Sequence, residues 1–171
     1  LHGTLKPPFS LASDRTFDEL RLSVLALSRS IKKFEIPDIS LKSISGFIAI
    51  VPTIQNESIK YLARKCLEEL DSFRAFESPE ILNKRRFTGL STSQECHLLK
   101  WGYPYVQDDF MFHLTMTSKL TSEVSENVLS VLSLELQAVL NSPLLIGRIC
   151  LVGESNVNGK FKVIEEFSLA D

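Results

Sequence analysis

Two short motifs hold most of this chain's capacity for acid–base chemistry. Only three histidines occur in 171 residues, and two of them stand two places before a threonine, in His2-Gly3-Thr4 and His113-Leu114-Thr115. On a strand, residues i and i+2 point to the same face. Each motif therefore sets an imidazole beside a hydroxyl. An imidazole titrates near pH ~6.5, so at neutral pH one can serve as base and the other as acid. Two such pairs lining one cleft suit a phosphodiester. His2 and His113 would move the protons of water and of the leaving alkoxide. Thr4 and Thr115 would donate to the non-bridging oxygens, where negative charge grows during attack. The scheme needs no metal and no other cofactor. A single H-x-T carries little information. The same residues also read as a terminal His2 and a satisfied core His113, and spacing alone leaves both readings open.

The elements that must position these motifs follow from periodicity and caps. The first motif opens a predicted strand that Pro7-Pro8 ends, because proline cannot donate to a ladder. Thr16 and Glu19 form a capping box ahead of a helix over about 17–34, with Phe17, Leu20, Val24, Leu27, Ile31 and Phe34 on one face. Ile39–Leu41 and Phe47–Val51 read as strands. Asn56 caps a helix through Leu70. Pro79 opens a short helix over 79–86, and Ser91 caps another over 91–101 that Gly102 and Pro104 end. Phe110–Thr117 is the strand of the second motif. Thr121 caps a helix through about Leu140, and strands follow at Leu144–Val152 and Phe161–Phe167, with Asn158-Gly159 as a hairpin turn. The two ends match in pattern, motif by motif, at an offset of 113 − 2 = 111 residues. An α+β fold of two pseudo-symmetric lobes is expected, about 1–52 and 106–171, joined by a helical connection over about 53–105.

Composition narrows the functional classes. With 44% hydrophobic and 23% charged residues, the chain resembles an ordinary globular domain. Nineteen basic against 21 acidic residues give a net charge of −2, whereas a protein gripping long nucleic acid carries a basic excess. A small phosphorylated substrate is the partner expected. Cys66, Cys96 and Cys150 are too few and too scattered for a disulfide framework, which points to a reducing, cytoplasmic setting. No apolar run approaches the ~18 residues of a membrane span. No Gly-rich phosphate loop is present, so nucleotide kinase and dinucleotide-binding chemistry are not expected. Around the motifs, Lys6 lies two residues past Thr4 and adds positive charge to the same face if the strand continues. Arg74 offers a bidentate phosphate grip. Tyr103 and Tyr105 can wall a groove and stack on a sugar or base. For all four, ordinary solvation or packing is the competing reading. His97 reads as structural or exposed, and Asp108-Asp109 as a polar turn.

The segments His2-Gly-Thr-Leu-Lys-Pro-Pro-Phe9 and Trp101–Leu120 (WGYPYVQDDFMFHLTMTSKL) resemble the two signature blocks of one branch of the 2H phosphoesterase superfamily. That branch is a family of unknown function associated with bacterial phosphonate-utilisation (carbon–phosphorus lyase) genes. Asp71–Ala75, Lys84-Arg85-Arg86 and Gly46–Pro52 are similar to it as well. The resemblance implies a bilobal 2H fold with both motifs in a central groove. It implies acid–base roles for His2 and His113 and phosphate binding by Thr4 and Thr115. It further implies a phosphodiesterase acting on a small cyclic phosphodiester such as a phosphoribosyl cyclic phosphate. Two alternatives stand beside that activity: a 2′,3′-cyclic phosphodiesterase on nucleotide or RNA ends, and a non-catalytic module binding a phosphorylated ligand. The family tends to show Ala where this chain has Gly3. Its members carry further residues before the first motif, so a natural segment with a strand of the first lobe is expected to precede Leu1.

Overall fold

The computed structural model describes residues 1–87, 89–154 and 159–171. Helix α1 (Phe17–Ser30) begins at the expected capping box. The Thr16 N–H donates to Glu19 Oε2 at 2.8 Å, and the Glu19 N–H donates to Thr16 Oγ1 at 3.3 Å. Leu20, Val24 and Leu27 form the buried stripe of this helix, the i, i+4, i+7 spacing of a core-facing side. The helix stops short of its predicted end. Ile31 is already extended (φ −119°, ψ 126°), and Phe34–Ile36 form strand β1. The reason lies far along the chain: β1 pairs antiparallel with β5 (Leu144–Ile146), Glu35 opposite Leu145.

Strands β2 (Ile39–Ile44) and β3 (Phe47–Pro52) form a hairpin. Its turn residues Ser45 and Gly46 have φ of 50° and 87°, the two positive values that match the twist of a two-residue hairpin. Helix α2 (Glu57–Glu69) is capped where Asn56 Oδ1 accepts the Ile59 N–H at 3.1 Å. It buries Ile59, Leu62, Ala63, Cys66 and Leu67. Burial pushes the Cys66 thiol up to about 12, so this cysteine packs as a small apolar residue. Helices α3 (Pro79–Arg86) and α4 (Thr92–Trp101) fall where their caps predict them, and Gly102 ends α4 with φ 74°.

The second half contains a 3-10 turn at Gln107–Asp109, strand β4 (Leu114–Thr115), helices α5 (Ser122–Glu135) and α6 (Gln137–Leu140), then β5, β6 (Arg148–Glu154) and β7 (Phe161–Ser168). Several elements depart from expectation. The strand predicted over 110–117 keeps two ladder residues. The helix predicted over 121–140 breaks at Leu136, and the Thr121 side chain makes no cap bond. The strand predicted over 144–152 divides at Gly147, because β5 pairs with β1 while β6 pairs with β7. β6 and β7 form the expected antiparallel pair, but Asn158 of the predicted turn lies outside the described residues. The opening strand is absent too. The chain bends at Leu5-Lys6, and its first ladder contact is a bridge between Leu11 and Arg74. Pro7 and Pro8 have no N–H for a ladder.

The result among the described residues is an α+β fold of antiparallel sheets and six α-helices. The sheets are β1-β5, β2-β3-β4 and β6-β7. α1 packs against α2, β6 and β7, whereas α5 packs against β2 and β3. Each terminal helix thus covers a hairpin from the other half of the sequence. One apolar cluster gathers Leu27, Ile36, Leu62, Phe112, Ile149 and Phe167. Each fully buried side chain of this kind is worth roughly 1.5–3 kcal/mol. No described helix is long and apolar enough to cross a membrane.

Candidate functional site

The second motif is fixed by main-chain pairing. In β4, Thr115 lies opposite Ala49 and Leu114 opposite Ile50 of β3. Just beyond, the Met116 N–H donates to Ile48 O at 2.8 Å, and Thr117 Oγ1 accepts the Ile48 N–H at 3.1 Å. Phe112 turns into the core, whereas Met111, His113 and Thr115 face solvent. The alternation is that of a strand, so His113 and Thr115 share one face. His113 Nδ1 sits 2.8 Å from Met111 O. A carbonyl can only accept, so Nδ1 carries a proton and Nε2 is left as the atom available for chemistry.

The first motif reaches this place without a strand. His2 and Thr4 are exposed, and the backbone of Gly3 lies on the Phe112 ring. A Cβ built on Gly3 would stand 2.3 Å from Phe112 Cε2. The structure therefore brings the residue between His2 and Thr4 onto the residue next to His113. Local sequence carries no sign of this contact. An Ala at this position does not fit while Phe112 holds its place. Gly3→Ala is expected to lower stability by roughly 1–3 kcal/mol, the usual cost of overpacking. Adding Phe112→Leu to that variant should recover part of the loss. Thermal melts of the two single variants and the double variant read this coupling, and strictly additive losses would refute it.

Lys6 and Arg74 meet as well, but on a carboxylate. Lys6 Nζ donates to Asp71 Oδ1 at 3.0 Å and to Leu67 O at 3.3 Å. Arg74 Nε and Nη2 grip Asp71 at 2.8 and 3.0 Å, and Nη2 also donates to Lys100 O. Only 7% of the Lys6 side chain and 8% of the Arg74 side chain are exposed. Lys6 leaves the motif face because the chain bends there, so the same-face placement expected for a continuing strand does not hold. Burial lowers the Lys6 ammonium pKa more than Asp71 raises it. Burial also works to raise the Asp71 carboxyl, yet hydrogen bonds from Arg74 and Lys6 hold it below its ordinary value.

Tyr103 and Tyr105 meet edge to face, centroids 5.7 Å apart at 75°. Arg85 covers the Tyr103 ring at 5.5 Å and bonds Glu77 and the Gly102 carbonyl. Burial raises the Tyr103 phenol pKa. Arg86 is paired with Glu95. His97 is half-buried, its Nδ1 3.1 Å from Asp109 Oδ2 at ion-pair distance but without hydrogen-bond alignment. Asp109 also accepts from Gln94 Nε2 at 3.1 Å and Ser93 Oγ at 3.2 Å. These contacts tie the turn ahead of the second motif to α4. They give Asp109 a positioning task that its reading as a plain polar turn missed.

A cavity of about 290 Å³ lies between α2 and the 106–110 segment. Leu5 and Phe110, neighbours of the two motifs, form part of its wall, and none of His2, Thr4, His113 and Thr115 lines it. Among the described residues, no group of three or more His, Cys, Asp or Glu side chains is gathered as a metal ion would require.

The sequence matches, over residues 4–162, a family described as "Protein of unknown function (DUF1045)". It is also 31% identical over 119 residues to a protein of Janthinobacterium sp. (strain Marseille) named "Ribose 1,5-bisphosphate phosphokinase PhnN". The matched region is 70% of this chain and 26% of that relative. A protein of the same name from Laribacter hongkongensis (strain HLHK9) is 31% identical over 119 residues, covering 70% of this chain and 27% of the relative. The chain thus spans about a quarter of the length of the curated relatives it matches.

Proposed function

The chain belongs to the DUF1045 family, and from that premise we propose that it is a two-histidine phosphodiesterase that hydrolyses a small cyclic phosphodiester, a phosphoribosyl cyclic phosphate in phosphonate metabolism. The observation that carries this reading is the seat of Gly3 on Phe112. It sets the backbone between His2 and Thr4 against the residue next to His113, which supports a site shared by the two motifs. The helices crossed over the opposite hairpins, and the β1–β5 pairing between halves, support the bilobal 2H arrangement with the motifs at its centre.

In the proposed reaction, a water oxygen attacks phosphorus as one histidine takes its proton. The bond from phosphorus to one ring oxygen breaks, and the other histidine protonates the departing alkoxide. The product is a phosphomonoester with a freed hydroxyl, and the net consumption is one water. Nε2 is the reacting atom of His113, because Nδ1 is committed to Met111 O. Thr4 and Thr115 hold the non-bridging oxygens. Tyr103, Tyr105, Lys6 and Arg74 border the substrate's path in this reading, although both cations already serve Asp71.

The relatives' name describes an activity on a ribose bisphosphate. This chain contains no Gly-x-x-x-x-Gly-Lys-Ser/Thr sequence, the loop by which many phosphokinases cradle a nucleotide. The kinase chemistry of the relatives is accordingly assigned to their remaining three quarters, and a phosphorylated ribose is the chemistry in common. The test is turnover of a phosphoribosyl 1,2-cyclic phosphate and of a 2′,3′-cyclic nucleotide by the purified protein, with and without EDTA. Hydrolysis of the first at a rate EDTA does not change is expected. Turnover of the nucleotide alone would overturn the substrate class, and a rate abolished by EDTA would overturn the mechanism.

A further inference from the structure

The cavity between α2 and the 106–110 segment is not absorbed by the proposed reaction. Its floor is apolar, formed by Leu5, Ala63, Leu67, Val106 and Phe110. Its rim is charged and unevenly paired. Lys60 is within 3.5 Å of Glu57, so those two groups offset each other. Arg64 is different. Its guanidinium lies over the Tyr61 ring at 5.5 Å and makes no ion pair or hydrogen bond among the described residues. The ring attracts the guanidinium and leaves its donors free. Asp108, which lines the same cavity, is likewise exposed and without an ion pair or hydrogen bond among the described residues. Asp108 follows Gln107, a non-glycine residue at φ 56°. Such a left-handed residue is uncommon away from sites that need it, and here it shapes the turn from which Asp108 projects.

One cation and one carboxylate thus face a shared opening, each short of a partner. They ask for a ligand that is anionic at one end and rich in hydroxyls at the other. A volume of about 290 Å³ is at the small end for ligand pockets, roughly 300–1,000 Å³, which fits one sugar ring with its phosphate. We propose that this cavity is a second binding site, distinct from the motif histidines, for a monosaccharide phosphate. Arg64 takes the phosphate oxygens in a fork, and Asp108 accepts hydrogen bonds from neighbouring sugar hydroxyls. The occupied site joins three segments: Leu5, which continues the first motif; α2; and Val106–Phe110, which leads into the second. A bound sugar phosphate therefore braces the segments that adjoin both motifs.

The probe is ribose 5-phosphate, titrated calorimetrically into the full chain and into its Arg64→Ala, Asp108→Ala and His113→Ala variants. Arg64 is exposed, so its replacement leaves the fold standing, and a thermal melt verifies this. Arg64→Ala should weaken binding by about 10–100-fold, the worth of charge-assisted hydrogen bonds. Asp108→Ala should weaken it less, and His113→Ala should leave it unchanged. Free ribose and inorganic phosphate should each bind more weakly than the joined molecule. No binding to the native chain, or binding indifferent to Arg64, overturns the proposal. So does binding lost in His113→Ala and retained in Arg64→Ala, which would place the ligand at the motifs. Because the readout is binding, it stands or falls separately from hydrolysis.

Discussion

Replacing His113 by alanine is expected to lower turnover of the cyclic phosphodiester by at least about 10²-fold, and replacing His2 should do the same. Proton transfer by a positioned side chain is typically worth 10²–10⁴ in rate. Both imidazoles are exposed, so neither substitution opens a core cavity, and the melting temperature should hold. The loss should therefore appear in kcat with the folded population unchanged. The two residues act in a single displacement, so the double variant should be little worse than either single one, as when catalytic groups work as a unit. His113→Gln is a stringent companion. Its amide can keep a hydrogen bond near the backbone but cannot relay a proton at neutral pH, so it should fail as fully as alanine. Thr115→Val removes a donor to the phosphate and leaves the proton path intact. A loss of about 10²–10³ is the known scale for one such donor. The rate should fall on both sides of a pH optimum, because one imidazole must be neutral and the other charged. A monotonic pH profile, or a His113→Ala enzyme at full speed, removes the two-histidine scheme.

Elements defined by local chemistry are legible in this sequence. The Thr16–Glu19 box, the Asn56 cap and Gly102 at the end of α4 each satisfy backbone groups within a few residues, and Pro79 at the head of α3 has no N–H that would need a partner. Their signals lie where their effects lie. What the sequence conceals is decided at long range. β1 is three residues long, too short for a periodic signal, and exists through β5. Gly147 divides one apolar run into two strands with different partners. The first motif was expected on a strand and instead lies in irregular chain. Even so, it is located: Gly3 meets Phe112 in a contact that neither residue's neighbours announce. The motif residues themselves stand out because histidine is scarce here. Asp71 gives no such signal, since its tie to Lys6 spans 65 positions, and its importance emerges only once both cations are seen to converge on it.

That convergence sets the largest stability effect. Asp71 is the shared partner of Lys6 and Arg74, whose side chains are almost wholly buried. Truncating Asp71 to alanine leaves two neighbouring cations out of water with no charge to offset them. Removing one member of a buried ionic group typically costs ~3–5 kcal/mol. For a chain of this length each kcal/mol moves Tm by roughly 2–4 °C, so a fall of about 6–20 °C is expected. Lys6→Met offers the contrast. It deletes a charge that burial already disfavours, keeps the stem's volume, and leaves Asp71 gripped by Arg74; it should cost far less. The pH dependence has a definite sign. The folded-state pKa of Asp71 lies below its ordinary 3.8, so its stabilising contribution is complete above that value and is lost as pH falls through the folded pKa. Lys6 works in the other direction, at alkaline pH: its folded pKa lies below its ordinary 10.5, so the cost of burying its charge is relieved as pH rises through that lowered value. Native protein should therefore lose stability steeply below about pH 4, and Asp71→Asn, already destabilised, should lose less across the same range. Because Lys6 lies in the bend that follows Thr4, loosening this cluster should also release the first motif. Asp71→Ala should then lower kcat even at temperatures where the protein remains folded. Equal melting temperatures for native protein and Asp71→Ala would show that the two cations reach solvent and that the first motif is held by Phe112 alone.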